Sequence, residues 1–169
     1  MSEEIFPIVN DEGEVIGKET RVVCHGGSML LHPVVHVHIF NSKGYIYIQK
    51  RNLTKDIQPG KWDTAVGGHV DFGETVEVAV KRECFEELGL KDVLPIFAYT
   101  YQWHSAIESE LVYVHTLIYD GEITPNADEL MDGRFWTIKE VKDSLGKSIF
   151  TPNFEYDFQL LIDYKVVDC

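Results

Sequence analysis

One stretch limits this chain more than any other. The run Gly68-His69-Val70-Asp71-Phe72-Gly73-Glu74, a tight loop bracketed by glycines, leads into a segment carrying Arg82, Glu83, Glu86 and Glu87. Thr75 suits an N-cap, because its hydroxyl can accept from an amide of the first turn, and Gly89 suits the left-handed position that ends a helix. Between them Val76, Ala79, Val80, Cys84 and Leu88 recur at helical spacing, which predicts a helix over about Val76–Leu88 with that side packed. Glu83 stands three residues before Glu86 and four before Glu87. Their carboxylates therefore leave one helical face and repel one another unless a cation sits among them. Hard oxygen ligands of this kind favour Mg²⁺ or Mn²⁺. An isolated acidic helical face is more often simply solvated, with Lys81 and Arg82 as partners, so the surrounding residues decide its meaning.

Composition narrows the partners. The 169 residues suit a single domain over 1–169, long enough to bury roughly two thirds of the surface that the unfolded chain exposes. A formal net charge of −13 opposes non-specific binding to nucleic acid or to an anionic membrane. An acidic protein that handles phosphates needs cations between the two negative partners, which a carboxylate site filled by Mg²⁺ would provide. Cys24, Cys84 and Cys169 are widely separated and form no CxxC pair, so neither a disulfide framework nor a zinc knuckle is expected, and a reducing cytoplasm fits. Met1 to Asn10 carries Glu3 and Glu4 and lacks the basic start and apolar run of a signal peptide. No stretch approaches the roughly 20 apolar residues of a membrane span.

Turn signals at Asn10, Asp11 and Gly13, and again over Asn41 to Gly44, separate short β-rich runs. Val34 to Phe40 and Tyr45 to Arg51 read as a hairpin, followed by a loop from Asn52 to Lys61 and a third strand from Trp62 or Asp63 to about Val70. Leu94 to Trp103 and Leu111 to Asp120, rich in aromatic and β-branched residues, read as two further strands. Arg134 to Trp136 is strand-like, Thr137 with Glu140 makes a capping box for a short helix, and Thr151-Pro152 opens a last helix with Phe154, Phe158, Leu161 and Ile162 on one face.

Read as one string, Gly68, Glu74, Arg82, Glu83, Cys84, Glu86, Glu87, Gly89 and Leu90 resemble the Nudix box, with every fixed position met. Cys84 is an unusual occupant of a bulky apolar position but packs as a small hydrophobe. The resemblance implies an α/β (α+β) chain with the Nudix fold, an α/β/α sandwich around a mixed central sheet. It also implies metal-assisted hydrolysis of a diphosphate linkage in a small molecule, by a monomer or homodimer. Carried over position by position, Glu83, Glu86, Glu87 and the carbonyl of Gly68 would bind Mg²⁺ (or Mn²⁺), Arg82 would brace the glutamates, and Glu74 would support the helix start. Water attack needs a carboxylate to take its proton; Glu86 or Glu87 could do so, as could a glutamate from a later loop, Glu108, Glu110 or Glu129.

Outside the box, residues 8 to 120 resemble the isopentenyl-diphosphate isomerase branch of the same family. The likeness lies in Asn10 to Gly17, Cys24-His25, Leu31-His32, Gln49-Lys50-Arg51, Lys55 and Pro59 to Asp63. In that branch two histidines seven residues apart, a third in a Cys-Gly-His segment and a Glu-x-Glu pair hold a metal. Here His25, His32, His69, Glu108 and Glu110 occupy the matching places, which implies a second metal site; His36 and His38 read as structural. The sequence departs from the isomerases at Gly67, which stands where they carry their catalytic cysteine. Hydrolysis is therefore the leading expectation, isomerisation the alternative, and a non-catalytic binding module a third reading. For the substrate, Lys50, Arg51, Lys55 and Lys61 are expected to meet phosphate oxygens. Phe72, Tyr99, Tyr101 and Trp103 are either core residues or a platform for a base or apolar group.

Overall fold

A computed structural model describes residues 2–55 and 57–168; Cys169 lies outside the described residues. A hairpin of β1 (Ile5–Val9) and β2 (Val15–Thr20) opens the chain and leads through the short helix α1 (Arg21–Cys24), capped by the Thr20 hydroxyl, into the long strand β3 (Leu31–Phe40). The main sheet adds β4 (Ile46–Arg51), β5 (Trp62–Thr64), β6 (Val66–His69), β7 (Ile96–His104), β8 (Ser109–Ile118) and β9 (Leu130–Trp136). Its strands run in the order β5-β4-β3-β8-β7, with β6 also on β3 and β9 also on β4. The β3–β8 pair is parallel and the other pairs are antiparallel, so the sheet is mixed as expected.

The expected hairpin of β3 and β4 is present only at its closed end, where Ile39 faces Tyr47 and Phe40 faces Ile46. Beyond that point the two strands part. The single strand anticipated from Trp62 to Val70 is in fact two: β5 pairs with β4 and β6 pairs with β3, Ala65 carrying the chain across the gap. The split follows from the parting of β3 and β4, because one extended run cannot hydrogen-bond to two diverging neighbours at once. The wedge between them becomes a cavity.

The helices α2 (Val76–Leu88), α3 (Ile138–Ser144) and α4 (Pro152–Asp163) complete the chain. The expected caps are all formed: Thr75 accepts from Val78 N, Gly89 adopts φ +67°, Thr137 and Glu140 close their box, and Thr151 accepts from Phe154 N. α2 covers one face of the sheet, burying Ala79, Val80, Cys84 and Leu88 against Val35, Val37, Ile39 and Tyr47. α4 covers the other face with Phe154, Phe158 and Leu161, all fully buried against Val34, Ile48, Val112 and Val114. Burying each such side chain contributes about 1.5–3 kcal/mol. No helix among the described residues is long and apolar enough to cross a membrane.

Candidate active site

The carboxylate face of α2 meets β6 at the mouth of the wedge, around one cavity of about 380 Å³ lined by Gly68, Glu83, Glu86 and Glu87. Arg82 ties the loop and the helix together. Its guanidinium donates twice to Glu74, Nε to Oε1 at 2.8 Å and Nη2 to Oε2 at 2.9 Å. It also donates to Glu83 Oε1 at 2.7 Å, to Glu86 Oε2 at 3.2 Å and to the carbonyl of His69 at 2.9 Å. A planar fork with this many donors suits Arg and would not be reproduced by Lys. Gly68 packs so tightly on α2 that a Cβ there would overlap the Glu83 carboxylate. Glu87 accepts from Gly67 N at 3.2 Å and is buried, and burial with neighbouring Glu83 holds its pKa well above the ordinary carboxylate range. Burial likewise pushes Glu83 up to about 7 in spite of Arg82. With one guanidinium among several crowded carboxylates, two of them desolvated, a divalent cation would supply further positive charge.

A second cluster adjoins the first. His25, His32 and His69 bring ring nitrogens within 4.8 Å of one another, and His32 does the same with Glu108 and Glu110. The Nε2 atoms of His25 and His69 are 3.0 Å apart. Glu108 Oε2 approaches His25 Nε2 to 3.2 Å, and Glu110 Oε1 lies 4.0 Å from His69 Nε2. His32 donates from Nδ1 to the carbonyl of Leu30 at 2.9 Å, which fixes the proton there and leaves the Nε2 lone pair facing the cluster. That Nε2 is buried with no partner among the described residues. Phe6 stacks on His69 at 4.4 Å between centroids and on His32 at 5.6 Å, holding the rings in place. Burial lowers His25 to about 4 and lowers His32 and His69 as well, which favours the neutral, lone-pair-bearing form of all three rings. Neutral imidazoles converging with carboxylates and one orphaned nitrogen fit a divalent metal.

The other anticipated residues divide. Arg51 and Lys55 line the cavity, as do Glu108, Glu110 and Glu129. Lys50 and Lys61 do not line it. Alternation along β4 turns Lys50 to the opposite face, where its ammonium lies 5.9 Å over the Trp62 ring. Lys61 serves through its backbone, its carbonyl accepting from Arg51 N at 2.9 Å. Tyr99 is core, Tyr101 and Trp103 pack against Tyr156 of α4, and exposed Phe72 carries the Lys18 ammonium at 5.0 Å. His36, expected to be structural, also faces the cavity, as do Gln49, Asp63, Thr151 and Asn153, which the sequence does not mark as site residues. Asp63 accepts from Thr151 Oγ1 at 2.9 Å and from Arg51 Nη1 at 3.3 Å, linking the α4 cap to the cavity wall. For His36 a signal was present, since period-two alternation on β3 puts it on the same face as His32.

This arrangement of box helix, split strand and mixed sheet has counterparts among known proteins. The family model described as NUDIX domain matches residues 30–154, and the chain belongs to that family. Among curated relatives, an isopentenyl-diphosphate Delta-isomerase of Enterobacter is 34% identical over 131 residues, covering 74% of this chain and 72% of the relative. Among solved structures, the protein DR0079 of Deinococcus radiodurans has a TM-score of 0.77 at 24% identity, covering 92% of this chain and 98% of that one. A MutT NUDIX hydrolase of Burkholderia pseudomallei has a TM-score of 0.63 at 23% identity, over 76% and 96%. These two likenesses show the shared fold.

Proposed function

We propose that this protein is a hydrolase that cleaves a diphosphate linkage in a nucleoside diphosphate-linked or related small molecule by metal-assisted attack of water. The observation that carries this reading is that Glu83 and Glu86, clamped by Arg82, and Glu87, held by Gly67 N, open onto the same cavity as Arg51 and Lys55. Glu83, Glu86, Glu87 and Gly68 would hold Mg²⁺ or Mn²⁺, and His25, His32, His69, Glu108 and Glu110 a second divalent ion. Bound there, such ions neutralise phosphate charge and lower the pKa of a coordinated water.

The protein's own groups do the rest. Arg82 keeps two glutamates at fixed positions that mutual repulsion would otherwise spread. Arg51 and Lys55 meet phosphate oxygens and set the substrate across the carboxylate helix. Glu86, Glu87 and Glu110 are the groups to take the proton from the attacking water. Without a metal, burial and Glu108 raise Glu110 to about 7, so it takes the proton in place of binding the second ion. The products are two phosphate-bearing fragments.

Isomerisation of isopentenyl diphosphate is the second reading, favoured by the named relative and by the histidine cluster. Gly67 weighs against it, because a glycine offers no thiol for proton transfer. One assay separates the two: incubate the protein with Mg²⁺ and a panel of nucleoside diphosphate derivatives, and separately with isopentenyl diphosphate, following products by ³¹P NMR. Cleavage of a panel member with no dimethylallyl diphosphate supports hydrolysis. Dimethylallyl diphosphate at an enzymatic rate, with an untouched panel, overturns it.

A further inference from the structure

Beneath Gly67 lies a buried polar group that the proposed chemistry does not use. Asp157 of α4 is fully buried, yet its carboxylate accepts three hydrogen bonds. Its Oδ2 takes His36 Nδ1 at 3.1 Å and His38 Nε2 at 2.8 Å, and its Oδ1 takes Tyr99 Oη at 2.5 Å. A carboxylate enclosed in an apolar layer carries a desolvation cost, and apolar residues of similar volume would fasten α4 to the sheet without it. Packing alone therefore gives no reason for this group.

The two histidines differ in what their second nitrogen meets. His38 is fully buried and its Nδ1 has no partner, so that ring is closed off. His36 lines the cavity, and its Nε2 makes no hydrogen bond among the described residues. Nε2 lies 3.7 Å from where a Cβ on Gly67 would stand. An alanine there would sit in ordinary contact, but any longer side chain would extend over the ring. Gly67 thus leaves open the path between His36 and the cavity, on the β3 face that also carries His32.

We propose that His36 is a further substrate-contacting residue: as an imidazolium anchored through Nδ1 to Asp157, it donates from Nε2 to an oxygen of the bound diphosphate in the space left by Gly67. Asp157 is its positioning residue, fixing one proton on Nδ1 and setting the ring plane, as carboxylates do for functional imidazoles. The inference rests on the diphosphate reading given above.

The test uses methylenediphosphonate with Mg²⁺ as a non-cleavable probe and the ¹⁵N-histidine-labelled whole chain. In the wild type, the His36 Nε2 resonance moves on titration while those of His38 stay in place. His36→Leu weakens the probe by about tenfold or more, the scale of one charge-assisted hydrogen bond, and His36→Gln recovers part of the loss. In Asp157→Asn the probe-dependent Nε2 shift is reduced; a purely structural role for Asp157 would lower stability and leave that shift unchanged. An unmoved His36 Nε2 at saturation, with His36→Leu within about twofold of wild type, overturns the inference and leaves the hydrolase reading standing. A wild type that neither binds the probe nor cleaves any diphosphate derivative overturns both.

Discussion

Gly68 and Glu83 show how closely the site is built. Because a Cβ on Gly68 would overlap the Glu83 carboxylate, Gly68→Ala must swing that carboxylate aside and off Arg82. Losing a hydrogen bond to a charged group costs about 1.5–3 kcal/mol, and chemical denaturation should show it, together with loss of Mg²⁺-dependent turnover. Glu83 gives a pH prediction with a fixed sign. Its folded pKa of about 7 exceeds the ordinary value of 4.5, so the folded state binds the extra proton between those limits. In metal-free buffer that group's contribution to stability is present below the lower limit and is lost as pH rises to the upper one. Glu83→Gln removes the loss, so its melting temperature relative to wild type should rise between about pH 5 and about pH 8. A constant difference across that range would show that Glu83 keeps an ordinary pKa. The box residues were legible in the sequence because they are local: one helix, one loop, fixed spacing. For His36 only the face was legible, from alternation along β3; its partner Asp157, like the Asp63–Thr151 pair, is set by contacts far along the chain.

Among the elements, α4 reaches beyond packing. Its cap Thr151 accepts from Phe154 N and donates to Asp63, which also holds Arg51 at the cavity wall. Thr151→Ala should cost about 1 kcal/mol for the lost cap, read as a lower urea midpoint. It should also raise KM more than it changes kcat, since Arg51 loses a fixed partner; an unchanged KM would confine Thr151 to a structural role. The starts of α2, α3 and α4 were readable because their caps are chemical signals within a few positions, whereas the four-residue α1, also capped by a threonine, is too short to show a period. The strand from Trp62 to Val70 was misread as one because nothing local in it records that β3 and β4 diverge. Residues Trp62 to Thr64 and Val66 to His69 have the same extended character, and only their partners separate them. Likewise the basic stretch before the box was identified, but which of its cations face the cavity depends on strand orientation. Alternation sends Lys50 away and Arg51 in.

For the whole molecule, a net charge of −13, the glutamates of α2 around the cavity and the His32, Glu108 and Glu110 group on one side of it predict that divalent cations add to stability. A cation that binds the folded form and not the unfolded one raises the melting temperature in proportion to the logarithm of its concentration. Mg²⁺ or Mn²⁺ should therefore stabilise the wild type. His25→Ala with His32→Ala should remove the share due to the histidine cluster and lower the bound metal found by elemental analysis; equal metal content would dismiss the second site. Whether the carboxylate helix is where a diphosphate is cleaved is decided by kcat/KM of wild type and Glu87→Gln on whichever substrate turns over fastest with Mg²⁺. A fall of about a hundredfold or more in a folded Glu87→Gln protein is the predicted result. Unchanged kcat/KM in that variant would place the chemistry elsewhere.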